Sequence, residues 1–164
     1  MSDTVSKRQH AVKPTSRRPR RSDAGDAVGE LVVHVFRLNG LLIARGDAMA
    51  EPSGQTSARW RVLAAIDEEP LSVAQIARAW WLTRQSVQRV ADVLVEDGLA
   101  TYEDNPSHRR AKLVRITPRG LKALHEIRLR QRTWAESLGE EIGASEIREA
   151  NATLARVLEA LTAT

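Results

Sequence analysis

The chain has 164 residues, enough for one compact domain with a small appendage and too few for a second catalytic domain. Its 42% apolar, 28% charged and 4% aromatic residues place it among soluble globular proteins. Its uninterrupted apolar runs fall far short of the ~18 residues that span a bilayer, so no membrane insertion is expected. With no cysteine, disulfides, thiolate nucleophiles and cysteine zinc sites are excluded, and His10, His34, His108 and His125 are too scattered to form a helical metal pair.

The net charge of +4 conceals an uneven distribution. Residues 1–22 hold Lys7, Arg8, Lys13, Arg17, Arg18, Arg20 and Arg21 against Asp3 alone, a surplus of six, which leaves 18 bases and 20 acids in the rest of the chain. Within that mildly acidic remainder, residues 106–122 carry Arg109, Arg110, Lys112, Arg115, Arg119 and Lys122 with no acid. Two basic clusters of this kind suit a polyanionic partner, because neutralising phosphates releases counterions. Residues 1–25, rich in Pro, Ser, Thr and Arg and poor in apolar side chains, are expected to be a disordered basic tail. Its charge run fits an arm on nucleic-acid phosphates or in a minor groove, or a merely solvated leader. It lacks the continuous apolar stretch of a secretory signal, so export is not expected.

From residue 27 to about 49, Val28, Leu31, Val35, Leu38 and Leu42 form one helical seam, and Val32, Val33, Phe36, Leu41 and Ile43 widen it. Only His34, Arg37 and Arg45 leave a polar stripe. A helix apolar over most of its circumference must be covered on more than one side, by a second subunit or as the central core helix of a monomer. Residues 51–54 break it. A second helix from Ser57 to about Asp67 offers Trp60, Leu63, Ala64 and Ile66 for burial. Ser72 and Gln75 then form a capping box, with Leu71 placed to staple onto Ile76, and open a short helix over 73–79 that buries Val73, Ile76, Ala77 and Trp80.

Thr83 caps the next helix, which runs to about Glu96 and ends at Gly98. Val87, Val90, Ala91 and Leu94 turn inward, and Arg84, Gln85, Gln88 and Arg89 are thrown outward. Residues 99–103 and 111–116 are strand-like and flank an Asn105-Pro106 turn, predicting a hairpin with a basic tip at His108, Arg109 and Arg110. Thr117 and Pro118 open a long helix carrying Leu121, Leu124, Ile127, Trp134 and Leu138. Residues 139–144 interrupt it, and a final helix from Ser145 carries Ile147, Leu154, Val157, Leu158 and Leu161 as a second seam.

This order is that of a winged helix-turn-helix. Arg84, Gln85, Ser86, Gln88 and Arg89 suit the major groove, where Arg binds guanine and Gln binds adenine. Alone they would be an ordinary wet helix face; the capped short helix before them and the basic hairpin after them favour the DNA reading. Residues 71–120, with Leu-Ser-Val-Ala-Gln-Ile-Ala-Arg, Thr-Arg-Gln-Ser-Val-Gln-Arg-Val-Ala-Asp, Leu-Val-Glu-Asp-Gly-Leu and Asn-Pro-Ser-His-Arg-Arg-Ala-Lys-Leu-Val-Arg-Ile-Thr-Pro-Arg-Gly, closely resemble the MarR (multiple antibiotic resistance regulator) family of bacterial transcription factors. With the flanking helices counted, the resemblance covers roughly residues 27–161. Two departures stand out: His108 occupies the wing position where the family usually has Asp, and Trp81 stands in the helix-turn-helix turn where it usually has Gly.

The resemblance implies a mainly α fold with a small β-hairpin wing, its winged helix-turn-helix flanked by dimerisation helices. Residues 26–164 form that domain, with a DNA-binding core over about 57–120. It further implies a homodimer on a pseudo-palindromic operator in double-stranded DNA, a repressor in the bacterial cytoplasm, without cofactor or metal, and release by a small aromatic effector. The expected DNA-binding residues are Thr83, Arg84, Gln85, Ser86, Gln88, Arg89, His108, Arg109, Arg110 and Lys112. Trp60, His34 and Arg37 could line an effector cleft, and equally serve as core or interface groups. An enzyme is the competing class, but Asp67, Glu68, Glu69, Glu140 and Glu141 sit at helix ends or on polar faces, and no phosphate loop, nucleophile elbow or triad occurs. A non-specific architectural DNA binder is a third.

Overall fold

The computed structural model describes residues 22–108 and 110–163. In chain order the elements are α1 (Asp23–Ala50), a 3-10 turn (Glu51–Ser53), α2 (Ser57–Ala65), β1 (Leu71–Ser72), α3 (Val73–Ala79), α4 (Arg84–Glu96), β2 (Ala100–Glu103), β3 (Leu113–Ile116), α5 (Pro118–Ile142) and α6 (Ala144–Thr162). The chain divides after Leu38 into two compact units. The first contributes the amino-terminal part of α1, and the second holds everything from Asn39 onward.

The helix starts expected at Ser72, Thr83 and Thr117 carry their caps, and Thr56 caps α2, whereas the last helix starts at Ala144 rather than Ser145 and has no side-chain cap. Thr56 Oγ1 accepts from Arg59 N, Ser72 and Gln75 form the reciprocal capping box, Thr83 Oγ1 accepts from Ser86 N, and Thr117 Oγ1 accepts from Gly120 N. Each cap satisfies an amide that the first helical turn leaves without a carbonyl. The core of the second unit is built from Val62, Leu63 and Ile66 of the α2 region, Ile76 and Ala77 of α3, Val87, Ala91 and Leu94 of α4, Leu99, Ala100 and Val114 of the sheet, and Ala123 and Leu124 of α5. This is the inward set that the helical spacing predicts for α4, with Val90 half-buried beside it.

The sheet has three antiparallel strands in the order β1-β3-β2, one more than the hairpin expected. Leu71 pairs with Val114 and Ser72 with Leu113, so the residues entering α3 also complete the sheet. A two-residue strand has no period of its own, which is why the sequence does not reveal it. Tyr102 pairs with Val114 and Glu103 with Leu113 in the wing. The wing is fixed at its base by Thr117, which donates its amide to Leu99 O (3.1 Å) and its hydroxyl to Gly98 O (2.9 Å). Gly120 belongs to the same junction: a Cβ there would lie 2.1 Å from Leu99 O, so no larger residue lets α5 approach the strand.

Four expectations need correction. Helix α1 begins at Asp23, so the segment expected to be a tail to residue 25 already enters the helix; residues 1–21 lie outside the described residues. Helix α5 passes through Gly139 and ends at Gly143 (φ 100°), because a lone glycine lowers helix propensity without forcing a stop. Trp80 is 43% exposed rather than inward, since α3 ends at Ala79 and its side chain follows the turn, not the helix face. Arg115, counted within the acid-free basic run, pairs with the cross-strand carboxylate of Glu103, Nε to Oε2 at 2.5 Å. The stretch Asp23–Ser53 is long and apolar enough to cross a membrane by length and composition alone, a test that the core helix of a soluble protein also passes.

Candidate nucleic-acid interface

The first two turns of α4 place Arg84, Gln85, Ser86, Gln88 and Arg89 in solvent, with Thr83 exposed at the cap. They are outside because Val87, Ala91 and Leu94 occupy the inner face of the same helix. The helix is held at both ends. At its start, Ser86 N donates to Thr83 Oγ1 (3.1 Å) and Ser86 Oγ donates back to Thr83 O (2.9 Å), which commits the serine proton locally. At its end, Asp97 pairs with Arg59 of α2 (3.0 Å), and its carbonyl accepts from Arg119 NH1 of α5 (2.8 Å). A guanidinium on a terminal carbonyl also opposes the negative end of the helix dipole.

The wing tip is shaped by Asn105. Its Oδ1 accepts from Ser107 N (3.0 Å) and His108 N (3.2 Å), and Ala111 N closes onto His108 O (2.9 Å). An Asx turn of this type is what Asn-Pro predicts. His108, Arg110 and Lys112 are exposed on it, while Arg109 lies outside the described residues. Arg84, Gln85 and Gln88 of α4 and Arg110 and Lys112 of the wing line one groove of about 630 Å³, floored by Ser72, Val73, Ala74 and Tyr102. The structure therefore brings together the central members of the expected set. Ser86 and Arg89 are exposed on α4 but do not line that groove, nor does His108.

Two residues bonded to Gln88 were not among those expected. Tyr102 Oη donates to Asp92 Oδ1 (2.6 Å), and Gln88 Nε2 donates to both, at 2.7 and 2.8 Å. The hydrogen bonds from Tyr102 and then Gln88 hold the Asp92 carboxyl below its usual range. Burial, reinforced by the charge of Asp92, pushes the Tyr102 hydroxyl up to about 12. Gln88 and Asp92 stand four apart, a spacing that favours this bond on a helix; nothing in the local sequence points to Tyr102.

Trp81 is the other departure from expectation by type. Its φ of 52° lies in the left-handed region, the only such non-glycine among the described residues, and its side chain is 78% exposed. Left-handed backbone costs a non-glycine residue ~1–2 kcal/mol. No burial offsets this. With Ala74, Ala77, Arg78, Leu82, Thr83 and Arg84 it borders a second groove of about 420 Å³ at the start of α4.

A family profile described as MarR family matches residues 53–111, which span the 3-10 turn to the wing. An uncharacterized protein of Mycobacterium tuberculosis is 37% identical over 138 residues, covering 84% of this chain and 96% of its own. Among solved structures, a mutant MarR from E.coli complexed with operator DNA is 21% identical with a TM-score of 0.73, over 84% of this chain and 99% of that one. Staphylococcus aureus MarR in complex with salicylate and kanamycin is 16% identical with a TM-score of 0.72, over 83% and 93%. These two likenesses establish a shared winged helix fold.

Proposed function

The chain belongs to the MarR family of transcription regulators, and from that premise we propose that it binds a pseudo-palindromic operator as a homodimer and represses transcription in the bacterial cytoplasm. The observation that carries this reading is the single groove shared by the polar face of α4 and the basic flank of the wing. Arg84, Gln85 and Gln88 face the major groove and read bases. Arg109, Arg110 and Lys112 on the wing meet phosphates or the adjacent minor groove, and His108 gives the tip an imidazole where relatives usually carry an acid. Ser86, Arg89 and Thr83 flank the reading face and contact the backbone. The basic residues between Lys7 and Arg21 add phosphate contacts without reading sequence.

The homodimer is supported by the exposed apolar side chains of the terminal helices. Val28, Phe36, Leu38, Leu41 and Leu42 of α1 are 44–73% exposed in the single chain, as are Leu158 and Leu161 of α6 at 58% and 73%. A soluble protein rarely leaves such stripes open. A second copy covers them, which also accounts for the membrane-like composition of α1. Two symmetry-related α4 helices then sit about 34–36 Å apart, so half-sites are centred ~10–10.5 base pairs apart or a multiple of that. A small aromatic molecule, of the class that salicylate represents in the staphylococcal complex, is the proposed signal for release.

Selection of bound sequences from random duplex DNA tests this function. Recovery of an inverted repeat with that spacing is expected. Salt-dependent binding without any recovered motif would make the protein an architectural binder instead.

A further inference from the structure

Gln88 turns its amide nitrogen inward, onto two partners in its own chain. Nε2 donates to Asp92 Oδ1 and to Tyr102 Oη, and Tyr102 Oη donates to the same carboxylate oxygen. Chemistry fixes the direction of all three bonds. An ionised carboxylate only accepts, so the tyrosine proton points to Asp92 and the hydroxyl lone pairs are left for the amide. Turning the amide over would face Oε1 toward an acceptor and toward a hydroxyl whose proton is already used. The low titration range of Asp92 and the high one of Tyr102 keep this arrangement intact around neutral pH. Oε1 is thus the polar atom that Gln88 presents to the groove it shares with Arg84 and Lys112.

We propose that Gln88 reads DNA through Oε1 alone, as an acceptor, so that the base it faces in each half-site carries an exocyclic amine in the major groove, adenine or cytosine, with Tyr102 and Asp92 as its positioning residues. This rests on the reading of α4 as the base-reading helix. An unrestrained glutamine pairs with adenine at two points, accepting from N6 and donating to N7. With Nε2 held against Asp92 and Tyr102, Gln88 makes no bond to N7 and does not distinguish adenine from cytosine by it. Guanine and thymine offer acceptors at the corresponding edge, and both are rejected.

The test begins with sites selected from random duplex DNA by the wild type and by Gln88→Ala; the position whose preference the alanine variant loses is the one Gln88 reads. Adenine or cytosine is expected there in the wild type. With adenine placed at that position, replacing it by 7-deazaadenine removes only N7 and should leave wild-type affinity within about twofold, whereas purine, which lacks the N6 amine, should cost about tenfold. Tyr102→Phe keeps the ring and releases Nε2 from one of its two partners. This variant should prefer adenine over cytosine about tenfold more than the wild type does, and should lose that gain on 7-deazaadenine. Guanine or thymine at the position, or a wild-type loss on 7-deazaadenine as large as that on purine, overturns the proposal while leaving α4 as the reader. If Gln88→Ala and Arg84→Ala both leave every position unchanged, the reading of α4 itself fails. The wild-type measurements decide the question even if Tyr102→Phe does not fold.

Discussion

The middle of the chain and its ends use the same side chains to opposite effect. Between α2 and the first turns of α5, Leu63, Ile66, Ile76, Leu94, Val114 and Leu124 are all at most 1% exposed. In α6 no residue is buried, and in α1 only Gly46, Met49 and Ala50 are. Leucine and valine are no less abundant at the ends. The difference is that the module's helices and sheet cover one another, whereas the terminal helices present seams that their own chain does not cover. The core of the module is therefore complete within one chain, and the terminal seams are what the proposed dimer would cover.

The largest effect that would break this comparison concerns the assembly. Deleting residues 145–164 should yield monomers or insoluble protein by light scattering, because it removes one of the two seams; a soluble dimer would refute the division drawn here. Next in size, Leu63→Ala removes a fully buried side chain and should cost about 2–5 kcal/mol in urea unfolding at every protein concentration. The same truncation at Leu161, 73% exposed, should instead act on the subunit equilibrium and lower the unfolding midpoint mainly in dilute samples. Smaller again, Trp81→Gly relieves left-handed strain that no packing offsets and should raise stability by about 1 kcal/mol. Loss of stability would mean that the exposed indole is covered in the assembled protein.

The smallest effect is spectroscopic. Tyr102 is the chain's one tyrosine, so ultraviolet titration follows it alone. Its midpoint should lie near 12, and Asp92→Asn should lower it part of the way, since burial is the larger cause and remains. The sign for stability follows: a hydroxyl that holds its proton more tightly when folded contributes below the unfolded value of 10.0, and that contribution is lost as pH rises toward 12. A midpoint near 10 would show that the Tyr102–Asp92–Gln88 cluster is not formed in solution.

Much of this architecture is legible in the sequence because local rules and tertiary packing agree. Thr83, Ser72 and Thr117 mark helix starts by side-chain chemistry, and the 3.6-residue period of Val87, Ala91 and Leu94 fixes which face of α4 is wet. What escapes is whatever depends on distant partners. Strand β1 exists because Val114 and Leu113 lie beside it, and the charge of Arg115 is paired with a carboxylate across the wing. Gln88 was readable as exposed but not as restrained, because its second partner arrives from β2, fourteen residues away.

The central claim is that α4 reads sequence while the wing supplies affinity. It is tested most directly by titrating wild type, Arg84→Ala, Gln88→Ala and Lys112→Ala against the selected operator and a scrambled duplex. The account predicts that each α4 variant loses about 1–3 kcal/mol on the operator and little on the scrambled duplex, while Lys112→Ala weakens both alike. An operator-to-scrambled ratio unchanged by Arg84→Ala and Gln88→Ala would contradict it.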